Sequence, residues 1–130
     1  MSEDPRIDLI TNAIEAFNRG DVPGLLEMID PRVESRVAEG LGNPGSYEGI
    51  EGYMQMMSEW AEAWSENNLD LREIELVDER AVLVHTDQTA VGAGSGVPLE
   101  FNTVFLVVFE DERAIRFEIH PSRDSAIAAV

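Results

Sequence analysis

The stretch that decides the fold is residues 99–120, which read LEFNTVFLVVFEDERAIRFEIH. Its first half, Leu99 to Phe109, and its second half, Arg113 to His120, are rich in the β-branched and aromatic residues that favour strands. The acidic triplet between them, Glu110 to Glu112, predicts a tight turn, so the stretch predicts a β-hairpin. The first of these strands is apolar on both faces. We expect helices to cover one face and a second copy of the chain to cover the other, as in a homodimer.

Three more strands are predicted before this hairpin. The segment Arg32 to Ala38 alternates apolar and polar residues, which is typical of a half-buried strand. The other two strands are Leu69 to Val77 and Ala81 to Val91, and a glycine-rich turn over residues 92–96 joins the second of them to the hairpin. The glycines and the proline of Glu39 to Ser46 predict a loop.

The first third of the chain predicts two helices. Apolar residues recur at three- and four-residue steps from Ile7 to Phe17, with Asp4 as the expected N-cap and Pro5 in the first turn. Gly20 is expected to end this helix in a left-handed conformation. Asp21 then caps a second, short helix, which is expected to run through Ile29 and to stop at Asp30-Pro31.

A longer helix is predicted to begin near Gly49 and to end at Asn67-Asn68. Its apolar face steps by three and four residues through Ile50, Tyr53, Met57, Trp60 and Trp64. Residues 122–130 predict a short terminal helix or tail. No repeat or linker interrupts the chain, so we expect residues 1–130 to form one domain. Helices followed by an antiparallel meander predict an α+β fold, with the helices packed on one face of a curved sheet.

The charge of the chain limits its partners. It carries 26 aspartates and glutamates against nine cationic residues, all of them arginine, for a formal net charge of −17. Such a body repels phosphate backbones and anionic lipid head groups, so we expect no nucleic acid and no membrane as a partner. The first residues lack the basic and apolar regions of a signal peptide, and we expect a cytoplasmic protein.

The residue types present also limit the chemistry. Without cysteine there is no thiol nucleophile, thiolate metal site or disulfide, and without lysine there is no Schiff base. The two histidines, His85 and His120, cannot form a three-histidine zinc site. We therefore expect no metal and no cofactor.

Four short stretches are informative through their order and spacing. They are Ala16 to Asp21 (AFNRGD), Tyr47 to Gly52 (YEGIEG), Gly94 to Glu100 (GSGVPLE) and Arg116 to Arg123 (RFEIHPSR). Together they resemble the SnoaL-like branch of the nuclear transport factor 2-like superfamily. The resemblance implies a cone-shaped α+β barrel, usually dimeric, with a mostly apolar pocket between sheet and helices. It implies less about chemistry, because this fold hosts isomerases, dehydratases, hydrolases, cyclases and non-catalytic binders.

One known chemistry of this fold is disfavoured by the residues present. Ketosteroid isomerases of the fold use a tyrosine in the first helix, a carboxylate base on the first strand and a neutral aspartic acid in the sheet. The positions that match them here look like Ala13, Ser35 and, on the strand Leu99 to Phe109, Val104 or Phe105. The resemblance therefore does not support steroid isomerisation.

The sharpest candidate site is the pair His85 and Asp87. Two residues apart on a strand, they point to the same side, and Asp87 is the only acid between Ala81 and Leu99. A carboxylate beside an imidazole orients it and favours its protonated form, which makes a general acid or base. We expect the pair to face the cavity as a catalytic dyad. The alternative is that both residues lie at the barrel rim or at a dimer face.

The stripe of Tyr53, Met57, Trp60 and Trp64 is expected to wall that cavity and to contact a cyclic or aromatic ligand. The alternative is that these side chains only fill the core. Asn102, a polar residue in an apolar strand, either lines the pocket or lies at the sheet edge.

Two functions follow from these candidates. The first is a cofactor-independent isomerase, cyclase, dehydratase or hydrolase, acting by acid–base chemistry on a small apolar, cyclic or polyketide-like molecule. In that enzyme His85 transfers the proton and Asp87 orients it. The second is a non-catalytic module of the same fold that binds a ligand or dimerises.

Overall fold

The computed structural model describes residues 4–39, 45–62 and 64–130. The first helix, α1 (Pro5–Arg19), begins and ends where the sequence predicts, whereas α2 (Val22–Leu26) begins there but is shorter than predicted. The apolar positions assigned to α2 continue through Met28 to Ile29, but Ile29 already begins the first strand. The side chain of Asp4 accepts a hydrogen bond from the amide of Arg6, and that of Asp21 accepts one from the amide of Gly24. Gly20 has a φ of 72°, so α1 ends in the left-handed conformation that glycine favours.

A six-stranded sheet forms the rest of the framework. Its strands are β1 (Ile29–Val37), β2 (Gly45–Glu48), β3 (Trp64–Leu76), β4 (Ala81–Gly92), β5 (Pro98–Glu110) and β6 (Arg113–His120). They lie in the order β2-β1-β6-β5-β4-β3, and every neighbouring pair is antiparallel except β1 and β6. The predicted α+β fold, with helices before a curved and mostly antiparallel sheet, is confirmed.

Three further predicted boundaries are wrong. The central helix, α3 (Gly49–Glu62), ends before Asn67-Asn68, because the chain from Trp64 onward pairs with β4 along its whole length. Trp64 therefore joins the sheet by pairing with β4, although its spacing from Trp60 is that of a helix. The first strand begins at Ile29 and includes Asp30 and Pro31. In the predicted loop Glu39 to Ser46, positions 45 and 46 belong to β2, and positions 40–44 lie outside the described residues.

The sheet has two differently covered faces. Its inner face packs against α1 and α3 through apolar residues such as Val84, Phe105 and Ile119, which belong to the main core. Part of its outer face is covered by the last helix, α4 (Arg123–Ala129), whose Ala126 is fully buried. The outer apolar residues of the central strands lie under it in a second core cluster, namely Ala81, Leu83, Val104 and Leu106.

The position of α4 corrects the reason for expecting a dimer. Leu106, on the outer face of β5, is 0% exposed in the single chain. The second apolar face of β5 is therefore covered largely by α4 of the same chain and does not require a second copy. Among the described residues, no helix is long and apolar enough to cross a membrane.

Candidate functional site

A cavity of about 50 Å³ lies between the inner face of the sheet and the N-terminal helices. Its walls come from α1, α2, α3 and four strands. The lining residues are Ile10, Ala13, Ile14, Phe17, Leu25, Met28, Tyr53, Met57, Trp60, Leu69, Val84, Phe105, Val107, Phe117 and Ile119. Three of the four predicted wall residues, Tyr53, Met57 and Trp60, are among them. A space of this size holds on the order of three water molecules.

Aromatic rings form much of the wall. Tyr53 meets Phe117 edge to face, with ring centroids 5.5 Å apart and an interplanar angle of 84°. Phe117 in turn stacks on Phe105 at 5.4 Å. Such contacts are favourable beyond the apolar area they bury and hold the rings in defined orientations.

Trp64 is not part of this wall. It begins β3 and lies beside Phe101, with ring centroids 5.5 Å apart, while Trp60 lies 6.3 Å from it. These three rings form a second aromatic cluster at the end of the sheet. The expectation that Trp64 lines the cavity is wrong, because the residue leaves the helix whose spacing suggested it.

Tyr53 is the only titratable residue that the described structure places on the cavity wall. Its side chain is 3% exposed, and its hydroxyl makes no hydrogen bond with a described residue. Burial raises the pKa of the phenol, so the group stays neutral throughout the physiological range. A neutral phenol in this position can donate a hydrogen bond but is not a general base.

His85 and Asp87 lie on the outer face of the sheet, away from the cavity. They alternate with the inner residues Val82 and Val84 along β4, and their cross-strand neighbours include Val104, which lies under α4. Successive side chains of a strand point to opposite faces, so neither residue reaches the inner side. The expectation that the pair projects into the cavity is wrong.

The two residues also do not pair with each other. Nε2 of His85 lies 3.0 Å from Oε1 of Glu75, whereas Asp87 accepts a hydrogen bond from Arg72. Each therefore has its own partner on β3. Asn102, the cross-strand neighbour of Asp87 on β5, is exposed on the same outer face and does not line the cavity either.

Glu75 joins this outer network to α4. Arg123 donates to both carboxylate oxygens of Glu75, at 2.9 and 2.6 Å. The guanidinium of Arg123, followed by the imidazole of His85, lowers the pKa of Glu75 to about 2. The network thus ties α4 to the sheet.

The same network contains the one set of side chains that could hold a metal among the described residues. Donor atoms of Glu73, Glu75 and His85 lie within 4.8 Å of one another. They come together because Glu73 and His85 are cross-strand neighbours, which sequence spacing does not reveal. Arg123 already occupies both oxygens of Glu75, so a metal ion would compete with an ion pair there.

A second polar cluster is buried beneath α4. Glu118, 5% exposed, accepts from Arg36 at 3.1 Å and from Arg116 at 2.6 Å, and Nε2 of His120 lies 2.8 Å from it. Burial alone raises the pKa of Glu118, but hydrogen bonds from Arg116, His120 and Arg36 together hold that pKa below its usual value. His120 is 0% exposed, and its Nδ1 lies 2.7 Å from the hydroxyl of Ser125 on α4.

Sequence reasoning missed a buried polar chain on the inner face. Thr86 donates to the carbonyl of Thr103 at 3.0 Å, and the hydroxyl of Thr103 donates to Gln88 at 3.2 Å. Gln88, 0% exposed, in turn donates to Asn67. The alternation of side chains along β4 could have revealed this chain, because Thr86 and Gln88 point to the same inner face as Val84.

Comparison with known proteins supports the fold. No curated protein matches the chain. An NTF2-like protein of unknown function from Burkholderia pseudomallei has a similar structure, with a TM-score of 0.82, 22% identity and coverage of 96% of both chains. TerC, co-crystallised with polyporic acid, aligns with a TM-score of 0.81 and 21% identity over 96% of this chain and 97% of its own.

A third similar structure is that of a protein to which the activity of a SnoaL-like polyketide cyclase has been assigned only provisionally. It comes from Jannaschia and aligns with a TM-score of 0.78 and 15% identity over 97% of this chain and 91% of its own. The sequence itself matches the SnoaL-like domain over residues 10–117. The resemblance found in the four short stretches is thereby confirmed, and the chain belongs to the SnoaL-like domain family.

Proposed function

We propose that this protein binds a small, apolar, cyclic molecule in the cavity between the sheet and the helices, without proton transfer by His85 and Asp87. The observation that carries the proposal is the lining of the cavity, which is apolar and aromatic apart from the donor groups of Tyr53 and Trp60. Small-molecule sites are typically lined in this way, with a few polar groups that fix orientation. The proposal follows the non-catalytic alternative of the two functions considered.

The arrangement of acids and bases favours binding over acid–base catalysis. No carboxylate or imidazole is present on the cavity wall among the described residues. Proton abstraction needs a base within hydrogen-bond reach of the substrate, and a buried, neutral phenol is not one. His85 and Asp87, the residues considered for that role, each contact a side chain of β3 on the face of the sheet away from the cavity.

Binding requires the cavity to widen. A pocket for a drug-sized ligand has roughly 300–1,000 Å³, and the cavity is much smaller. The wall residues Phe17, Met57 and Trp60 are only half-buried, so we propose that the cavity widens at these side chains. Methionine adapts to irregular ligands because its unbranched side chain changes rotamer readily.

A neutral fluorescent probe tests the proposal. We expect N-phenyl-1-naphthylamine to bind with one-to-one stoichiometry and to fluoresce strongly in the apolar cavity. Ala13→Leu places three more carbon atoms in the cavity and should lower the affinity at least about tenfold, equivalent to 1.4 kcal/mol. The matched control is Asn12→Leu, which adds the same residue at an exposed position of the same helix. Equal binding by both variants, or no binding by the parent protein, contradicts the proposal.

A further inference from the structure

Tyr53 is a buried residue on the cavity wall whose hydroxyl has no acceptor among the described residues. It is 3% exposed, and its ring is held against Phe117 inside the cavity wall. Trp60, the other lining residue with a polar hydrogen, is half-buried, so it is less isolated from solvent. The hydroxyl of Tyr53 is not among the fully enclosed polar atoms that lack a partner in the described structure, so water reaches it in the ligand-free protein. A ligand that displaces this water must supply an acceptor in its place, because an unpaired hydroxyl in an apolar complex costs binding free energy.

The cavity also restricts the charge of that ligand. No arginine or histidine lines it among the described residues, so a carboxylate or phosphate would enter without a counter-ion. Burying an unpaired charge in an apolar site is strongly unfavourable. The net charge of −17 repels anions as well. A ketone, aldehyde or ether oxygen can accept the hydrogen bond of Tyr53 and carries no charge, so it fits the cavity.

We propose that Tyr53 donates a hydrogen bond to a neutral carbonyl-type oxygen of the bound molecule, so that the natural ligand is an uncharged cyclic ketone or a compound of similar chemistry. This inference rests on the proposed function, because it takes the cavity as the binding site. Burial keeps the phenol protonated across the physiological range, so the donor is present at any working pH. Tyr53 thereby orients the ligand, while the apolar walls provide the affinity.

A matched pair of probes separates the hydrogen bond from apolar burial. Acetophenone and isopropylbenzene have nearly the same shape, but only acetophenone carries a carbonyl oxygen. Displacement of N-phenyl-1-naphthylamine measures the affinity of each for the parent protein and for Tyr53→Phe. We expect this substitution to weaken acetophenone roughly three- to tenfold, the usual range for one hydrogen bond, and to leave isopropylbenzene within about twofold.

The second tyrosine provides the control. The hydroxyl of Tyr47 donates to Glu59 at 2.7 Å and lies outside the cavity. We expect Tyr47→Phe to lower the melting temperature and to leave both probe affinities unchanged. If both probes bind and Tyr53→Phe weakens them equally or not at all, the hydrogen-bond inference is overturned and the cavity stands as a binding site. If neither probe displaces the dye, the proposed function fails and the inference fails with it.

Discussion

At the scale of single residues, His85 and Asp87, which sequence reasoning assigned to catalysis, each contact a charged side chain on the outer face of the sheet. Glu75 is the centre of the outer network, since it contacts both Arg123 on α4 and His85 on β4. Its side chain is 25% exposed, so water and salt weaken these interactions. His85 thus contacts the carboxylate that also holds Arg123 of α4.

The lowered pKa of Glu75 predicts a pH-dependent contribution to stability. The folded value of about 2 lies below the ordinary 4.5, so the carboxylate stabilises the folded state fully above pH 4.5. This contribution is lost as the pH falls towards 2. We expect Glu75→Gln to lower the free energy of unfolding at pH 7 by no more than about 1 kcal/mol. Urea titrations between pH 7 and pH 3 should show the difference from the parent protein shrinking below pH 4.5.

The control for this measurement is Glu66→Gln, which removes an exposed carboxylate on the same strand. It accounts for the general effect of lowering the negative charge. A difference between parent and Glu75→Gln that stays constant across the pH range would show that the ion pair with Arg123 does not stabilise the fold.

At the scale of elements, the turn between β5 and β6 holds two non-glycine residues in the left-handed backbone conformation. Glu110 pairs with Arg113, which leaves Asp111 and Glu112 as a two-residue connection with φ values of 51° and 62°. Positive φ at both positions is the conformation of a type I′ turn, which suits the twist of a hairpin and favours asparagine or glycine. Glutamate lacks the short polar side chain that makes this conformation easier for aspartate.

Replacing Glu112 with glycine should therefore stabilise the protein. The relief of the left-handed strain exceeds the added entropy of the unfolded chain, and we expect a gain of about 0.5–1 kcal/mol in the free energy of unfolding. Urea denaturation measures it. Glu79→Gly, at an exposed position whose φ is not positive, is the matched control and should destabilise the protein slightly. Equal effects of the two substitutions would contradict the strain argument.

At the scale of the whole molecule, α4 and the net charge both limit the association of the chain with a second copy. The helix covers much of the outer apolar face, and Arg123 fastens it to Glu75. Leu99, 44% exposed, and Val97, 50% exposed, remain uncovered at the start of β5. The apolar surface available for association is therefore smaller than the pattern of β5 predicts.

The homodimer remains a prediction, with salt as its test. Two chains of net charge −17 repel each other, and the Debye length falls from about 10 Å at 0.1 M salt to about 3 Å at 1 M. We expect association to strengthen as the ionic strength rises, measured by light scattering at micromolar concentration. A molecular mass corresponding to a monomer in both low and high salt would contradict the prediction of a homodimer.

The sequence by itself determined the features that depend on neighbouring residues. The caps Asp4 and Asp21 and the glycine at position 20 mark helix ends, because capping involves only residues a few positions apart. The cavity walls Tyr53, Met57 and Trp60 were predictable for the same reason, since their spacing within one helix places them on one face.

Only the tertiary structure decided which way β4 faces. Residues Ala81 to Val84 are all apolar, so alternation along the strand is equally consistent with either face turned inward. The packing of α4 settles this, because its Ala126 belongs to the same core cluster as Leu83, and His85 lies on the same side of the strand as Leu83. The end of α3 was likewise decided by pairing of β3 with β4. Both choices depend on contacts between segments far apart in the chain, and no local pattern encodes which of two apolar faces a distant helix will cover.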